Sequence, residues 1–190
     1  MKIFLVILFL LGAHTVFAQL QTNVIFIKQS SLPAADAIYY SPAYLLNWSD
    51  FKGTPAEGKA AAITASGFGY RSDISTVGNS GKLNVSVYCF FNKGKSWVKP
   101  GRTTPYILNH EQHHFNISFI AANLFVQKIK STVFTVTNFK ELLPKIYTES
   151  LALMNNMQVE YDGETKNGQL KDVQGKWDLL LQAKVMQLTK

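Results

Sequence analysis

The chain has 190 residues, of which 47% are hydrophobic, 16% are charged and 13% are aromatic, a composition ordinary for one globular domain. Its formal net charge is +7, but the basic residues are scattered, and the only local cluster is Lys93, Lys95, Lys99 and Arg102. The sequence has no arginine-rich run and no basic stripe interleaved with aromatic residues. It therefore argues against a nucleic-acid partner and favours a solvated basic surface.

The first residues have the features of a cleaved secretory signal. Lys2 precedes an apolar run at residues 3–12, and Val-Phe-Ala at residues 16–18 offers small residues where signal peptidase cleaves. The run is shorter than the roughly 20 residues that span a bilayer, and no cysteine follows to accept a lipid. We expect residues 1–18 to be a signal peptide and residues 19–190 to be one domain. That domain is expected to be secreted or periplasmic, without stable membrane insertion.

The first half of the mature chain is rich in strand patterns. Residues 23–28 and 44–48 are predicted strands, and residues 60–71 form a longer predicted segment. Residues 82–92 alternate cleanly and predict a half-buried strand. One face of this strand carries Leu83, Val85, Val87, Cys89 and Phe91. Cys89 is the only cysteine in the chain, and we interpret it as a small core residue.

A helix is predicted from about residue 105, and it contains the motif His-Glu-x-x-His. Thr104 can cap it, Pro105 suits its first position, and apolar residues recur through residue 126. Residues four apart lie one turn above each other, so His110 and His114 face one point in space. Glu111 lies about 100° round the helix axis, beside that point.

This spacing favours a zinc site. Zn²⁺ takes neutral imidazole nitrogens and, in catalytic sites, keeps a position open for water, whose pKa it lowers to about 7. Glu111 is then the predicted catalytic residue, the general base beside that water. Three of the four histidines fall within residues 110–114 of a largely buried helix, which favours a metal over an accidental histidine pair. His113 points away from the pair, and we expect it to be solvated or hydrogen-bonded.

Two more helices are predicted in the second half. Residues 132–137 are β-branched and are left unassigned. A helical stripe covers residues 139–160, a turn-rich break follows at 161–168, and an amphipathic helix covers residues 170–188. The predicted fold class is α+β, with an N-terminal twisted β-sheet followed by the active-site helix and two further helices.

Several short motifs occur in order along the mature chain. They are Trp-Ser-Asp-Phe-Lys-Gly at 48–53, Ser-Trp-Val at 96–98, His-Glu-Gln-His-His-Phe at 110–115, Tyr-Asp-Gly-Glu-Thr at 161–165, and then Gln174 and Trp177. This combination resembles a bacterial family of predicted secreted zinc-dependent proteases. The resemblance covers most of the mature chain and implies a zincin-like fold and an exported protein. The chain departs from the family at Asn116, where Asp is usual, and at Asn167, where His is usual and could be a metal ligand.

The third metal ligand is expected to be a carboxylate, because His14 leaves with the signal peptide and His113 points the wrong way. Asp162 is the first choice, since it lies in the turn-rich break and in the family-like Tyr-Asp-x-Glu-Thr motif. A helix-terminating aspartate that bonds its own backbone is the alternative interpretation of this residue. Glu149, a carboxylate in an apolar helical stripe, is the second choice, and Glu164 is the third.

The predicted function is secreted zinc-dependent peptide hydrolysis. One Zn²⁺ held by His110, His114 and Asp162 would act with Glu111 on a peptide or protein substrate. We expect the strand at 82–92 to lie at a sheet edge, where an extended substrate can pair with it. The alternative is a zinc-retaining cell-envelope binding protein without catalysis, which the missing family histidine favours. A third hypothesis is an adhesion or scaffold domain without metal.

Overall fold

The computed structural model describes residues 19–30, 32–77 and 80–189, so the predicted signal peptide at 1–18 lies outside the described residues. The α+β class is confirmed. The elements are β1 (Leu20–Phe26), β2 (Ala37–Tyr39), β3 (Ala62–Ile63), β4 (Ser66–Val77), β5 (Ser80–Asn92), β6 (Trp97–Val98), α1 (Pro105–Ser131), α2 (Phe139–Thr165) and α3 (Lys171–Leu188). None of the helices described is both long and apolar enough to cross a bilayer.

β5 is the central strand of a mixed four-stranded sheet. β4 pairs antiparallel along one side of β5. Two strands share the other side: β1 pairs with it in parallel, and β2 pairs with it antiparallel. The side chains predicted for its inner face are buried: Leu83, Val85, Val87, Cys89 and Phe91. The prediction that residues 82–92 form an open edge is wrong, because both sides of the strand are already paired.

The predicted segment at 60–71 divides into two strands that belong to different sheets. β3 pairs antiparallel with β6 in a separate two-stranded ribbon, whereas β4 belongs to the main sheet. Between them, the amide of Ala65 donates to Ser96 Oγ at 2.9 Å, which ties the turn to the loop before β6. This division leaves β3 free to contribute to a different surface from β4.

Residues 44–48 do not form the strand predicted there. Asn47 instead caps a 3-10 turn at Trp48–Asp50, accepting from the Ser49 amide at 3.0 Å, while Asp50 accepts from the Asn47 amide at 2.9 Å. The amide of Leu46 donates to Gln112 Oε1 at 2.8 Å rather than to another strand. Local capping therefore outweighs the short apolar pattern.

α1 packs across the inner face of the sheet. Phe115 contacts Phe91 at a ring-centroid distance of 6.0 Å, and Phe125 contacts Phe68 at 5.8 Å. Its start is as predicted, because Pro105 is the first helical residue and the Thr104 hydroxyl accepts from the amide of Ile107 at 3.2 Å. The buried N-terminal half of α1 carries His110 and Glu111.

α2 continues through the turn-rich break expected after residue 160. The Thr165 hydroxyl donates to the Tyr161 carbonyl at 2.6 Å, and left-handed residues follow only after Thr165, with φ values of 49° at Lys166, 54° at Asn167 and 74° at Gly168. Asp162 therefore lies in the last turn of a helix and not in the loop predicted for it. α2 and α3 pack on α1 beside this point, with Tyr161 fully buried.

Candidate metal centre

The structure brings His110, His114 and Asp162 together, the same three residues that the sequence predicted as ligands. His110 and His114 come from successive turns of α1, and Asp162 comes from the last turn of α2. His110 Nε2 and His114 Nε2 lie 3.2 Å apart. Asp162 Oδ1 lies 3.2 Å from the first and 3.1 Å from the second.

These three atoms form a nearly equilateral triangle that fits a metal ion. Tetrahedral zinc sites have bonds of about 2.0–2.1 Å, so their ligand atoms stand about 3.3–3.4 Å apart. The observed separations differ from that by only a few tenths of an ångström. The group could hold a metal ion after a small adjustment.

Each imidazole contacts a glutamine through the ring nitrogen that faces away from Asp162. His114 Nδ1 contacts Gln158 Oε1, and the Gln158 amide nitrogen donates to the His114 carbonyl at 2.9 Å. A carbonyl only accepts, so Gln158 must present its oxygen to Nδ1, and Nδ1 must carry the proton. His110 Nδ1 makes the same contact with Gln174 Oε1 at 2.9 Å. Both Nε2 atoms are then free to bind a metal.

With both protons on Nδ1, the three atoms that face one another are all hydrogen-bond acceptors. The group lines a cavity and the Asp162 side chain is 38% exposed, so a cation or a donating water molecule among the three atoms would satisfy them. Burial lowers the pKa of His114, but contact with Asp162 and the charge of Glu111 outweigh it and raise that pKa overall. Burial raises the pKa of Asp162, but the two imidazoles hold it well below its usual range. The centre therefore favours a positive charge.

Glu111 lies beside the triangle and is only 4% exposed. Its Oε2 has no hydrogen-bond partner among the described residues. Burial raises the pKa of the carboxyl group, although His114 and Thr64 act in the opposite direction. A buried oxygen without a partner is costly, and a water molecule between Glu111 and a metal ion would satisfy it.

A cavity of about 290 Å³ opens in front of the three ligand atoms. One wall comes from residues 60–64, which include β3, and the Thr64 hydroxyl ties this wall to α1 by donating to the Glu111 carbonyl at 3.1 Å. The opposite wall comes from α2 and the turn after it, with the amide side chains of Asn155, Gln158 and Asn167. The site thus lies between the small ribbon and the helices, away from the central strand.

Among the described residues, the backbone of β3 is paired on one side only, with β6. Its register with β6 places Ala62 opposite Val98, and the amide of Lys99 donates to the Ala61 carbonyl at 2.8 Å. Bonded and non-bonded pairs alternate along an antiparallel ladder, so the N–H and C=O groups of Ala62 point away from β6. Ala62 also lines the cavity.

The other two candidate ligands lie outside this group. Glu149 pairs with Lys128 at 3.2 Å on the surface, and Glu164 accepts from the indole nitrogen of Trp177 at 2.8 Å. An exposed ion pair explains the carboxylate in the α2 stripe without a metal. His113 points away from the centre, as expected, and its Nε2 lies 2.7 Å from Asp178 Oδ1.

Tyr161 supports the ligands by packing. Its ring stacks on His110 at a centroid distance of 4.6 Å, and its hydroxyl accepts from the amide nitrogen of Gln174 at 2.6 Å. The hydroxyl therefore faces Gln174 and not the cavity. Gly168 closes the other side of the same imidazole, since a Cβ added there would lie 3.2 Å from His110 Nδ1.

Gln158, Thr64 and the residues of β3 belong to the site but are not predicted from the sequence. Gln158 precedes Asp162 by one helical turn, so its spacing would have indicated a shared face had α2 been predicted to reach Thr165. Gln174 belongs to the ordered motifs, but the sequence does not predict its contact with His110. No signal within residues 60–64 indicates that they face the metal group, because that contact depends on the fold.

Comparisons with protein-family models, curated proteins and solved structures find no match. The family resemblance therefore stays a prediction, and the function has to be inferred from the chemistry of the site.

Proposed function

We propose that this protein is a zinc-dependent metallopeptidase with a zincin-like fold. In this proposal His110, His114 and Asp162 hold one Zn²⁺, and Glu111 is the general base. The observation that supports it most directly is the triangle of three acceptor atoms beside a buried carboxylate oxygen that has no hydrogen-bond partner in the described part of the chain. Two imidazoles and one carboxylate match the three-ligand set of catalytic zinc sites, which leave a further position open.

The neighbouring carboxylate is the reason for preferring hydrolysis. Two histidines and one carboxylate also bind Fe²⁺ in oxygenases, so the ligand set is not specific to zinc. Hydrolysis additionally needs a proton acceptor beside the open position, and Glu111 lies there with Oε2 free. Asn167 lines the same cavity, and three candidate ligand atoms come together there without it.

The protein groups have separate roles in the proposed reaction. When bound, zinc supplies Lewis-acid polarisation of the scissile carbonyl and lowers the pKa of water to about 7. Glu111 takes a proton from the attacking water as its oxygen bonds to the carbonyl carbon. It then transfers that proton to the amide nitrogen, and the peptide C–N bond breaks to release the amine. The raised pKa of Glu111 brings it closer to working pH, which suits a group that accepts and then donates a proton.

An extended peptide would bind along β3. The backbone groups of Ala62 that point away from β6 can pair with a substrate strand, as in other cases of strand addition. The run Ala60–Ala61–Ala62 leaves space for substrate side chains because its own side chains are small. In this proposal β3, and not the strand at residues 82–92, pairs with the extended substrate.

The test combines metal analysis with peptide turnover on the purified protein. We expect about one zinc per chain and cleavage of a broad peptide library. Glu111→Gln should keep its zinc and lose hydrolysis by roughly 10²- to 10⁴-fold, the contribution of a positioned general base. Glu164→Gln is the matched control, because it makes the same change outside the cavity and should retain activity.

The outcomes separate the alternatives. A wild-type protein that holds zinc but cleaves nothing would replace the peptidase with the non-catalytic binding protein. Iron in place of zinc would move the proposal to redox chemistry, and the absence of any bound metal would leave only the scaffold hypothesis. Export stays a prediction, and the mass of the exported protein should correspond to a chain that begins at Gln19.

A further inference from the structure

The hydrogen bonds behind the metal group converge on Asp178, a carboxylate on α3 that is not one of the three ligands. We infer that Asp178 is a positioning residue, which keeps the His110 proton on Nδ1 and so leaves Nε2 able to bind metal. It acts through Gln174. The inference rests on the proposed metal site and concerns how that site is kept competent.

Three donors meet at one oxygen of Asp178. Oδ1 accepts from Gln174 Nε2 at 2.7 Å, from His113 Nε2 at 2.7 Å and from Asn109 Nδ2 at 3.0 Å. An ionised carboxylate can only accept, so each partner must turn an N–H group towards it. Gln174 therefore directs its NH₂ group to Asp178 and its carbonyl oxygen to His110 Nδ1.

The other partner of Gln174 fixes this orientation less firmly than Asp178 does. Gln174 Nε2 also donates to the Tyr161 hydroxyl at 2.6 Å, and that hydroxyl donates in turn to the His110 carbonyl. This second bond is long, at 3.4 Å, so the hydroxyl could turn its hydrogen towards Gln174 at little cost. Without Asp178, the Gln174 side-chain amide could rotate by half a turn and present NH₂ to His110 Nδ1. The imidazole would then accept at Nδ1 and carry its proton on Nε2, where it blocks the metal.

The same network gives His113 a role. Gln112 Nε2 and the Tyr40 hydroxyl donate to Asn116 Oδ1 at 3.0 and 3.1 Å, so the Asn116 amide nitrogen faces His113 Nδ1 at 3.1 Å. His113 therefore accepts at Nδ1 and carries its proton on Nε2, which donates to Asp178. His113, which is not one of the proposed ligands, thus supports the Asp178 carboxylate.

His114 provides an internal control. Its partner Gln158 is oriented by the backbone carbonyl of His114 itself and makes no contact with Asp178. A change at Asp178 should therefore alter the proton position on His110 and leave that on His114 unchanged. Gln158→Leu should do the reverse.

The experiment uses the full metal-free protein with ¹⁵N-labelled histidine, at an alkaline pH where the imidazoles are neutral. Two-bond nitrogen–proton correlation spectra distinguish Nδ1–H from Nε2–H on each ring. In the wild type we expect His110 to be mainly protonated on Nδ1. Asp178→Ala should move that proton to Nε2 and weaken Zn²⁺ binding by about 10- to 100-fold, as for other outer residues of metal sites.

Asp178→Asn should rescue both properties, because its carbonyl oxygen can still accept from Gln174. Asp178→Leu, closer in size, replaces the alanine variant if that variant does not fold. An unchanged His110 proton in a folded variant without the acceptor would overturn the inference, as would an asparagine variant that behaves like alanine. If the wild type binds no Zn²⁺ while the proton still moves, the proposed function fails and the positioning role of Asp178 stands.

Discussion

The Gly168→Ala variant tests whether the backbone behind His110 holds that ligand in place. Gly168 has a φ of 74°, and a Cβ added there would lie 3.2 Å from His110 Nδ1 and 3.3 Å from its Cγ. Gly101 is a matched control, because its φ is 75° and a Cβ there would have nothing within 4 Å. Both variants place an alanine in the left-handed region, and only Gly168→Ala brings a Cβ against His110.

The expected magnitudes follow from these two facts. An alanine in the left-handed region costs about 1–2 kcal/mol, which lowers the melting temperature of a chain of this size by about 2–8 °C. Only the new Cβ at 168 lies closer than the roughly 3.5–4.0 Å optimum, so the His110 ring or the turn must move by a few tenths of an ångström. Metal–ligand distances tolerate about 0.2 Å. We therefore expect Gly168→Ala to weaken zinc binding by about 10- to 100-fold.

Thermal melts of the metal-free variants measure the shared backbone cost. Competition with a chromogenic chelator measures the zinc affinity. Both variants should lose similar stability, while Gly101→Ala should bind zinc like the wild type. The reasoning would be refuted if Gly168→Ala kept full zinc affinity despite the expected loss of stability, because the contact with His110 would then have no effect on the ligand.

Three further predictions concern the metal group. Asp162→Asn should lower zinc content while Glu149→Gln should not, because only the first removes an anionic ligand; the opposite result would place the third ligand at Glu149. His110→Ala should abolish zinc binding and His113→Ala should retain it, measured by metal analysis, since His113 faces Asp178 and not the centre. Lowering the pH from 8 to between 5 and 6 should raise the melting temperature of the metal-free wild type relative to that of metal-free Asp162→Asn. The lowered pKa of Asp162 stabilises the fold above about pH 4. The raised pKa of His114 stabilises the fold below about pH 6.5, and this contribution is lost as the pH rises through the pKa of His114 in the folded protein. An equal effect of pH on the wild type and on Asp162→Asn would contradict this reasoning.

The features that lie within one helix could be predicted from the sequence. Thr104 and Pro105 mark the start of α1, and the spacing of His110 and His114 places both imidazoles on one face with Glu111 beside them. These relations depend only on the 3.6-residue repeat of the helix, which is the same in every fold. The alternation of β5 was likewise sufficient to predict which of its side chains are buried.

Only the tertiary structure decided what completes the site. Asp162 lies 52 residues after His110, and the two glutamines that orient the imidazoles lie 44 and 64 residues after their partners. The sequence alone left three carboxylates open, because no local pattern reports which side chain α2 turns towards α1. The expected edge position of residues 82–92 was also wrong. Alternation shows which faces of a strand are buried, but not which strands lie beside it, so an edge and a centre have the same pattern. Long-range packing placed β5 inside the sheet and β3 beside the metal group.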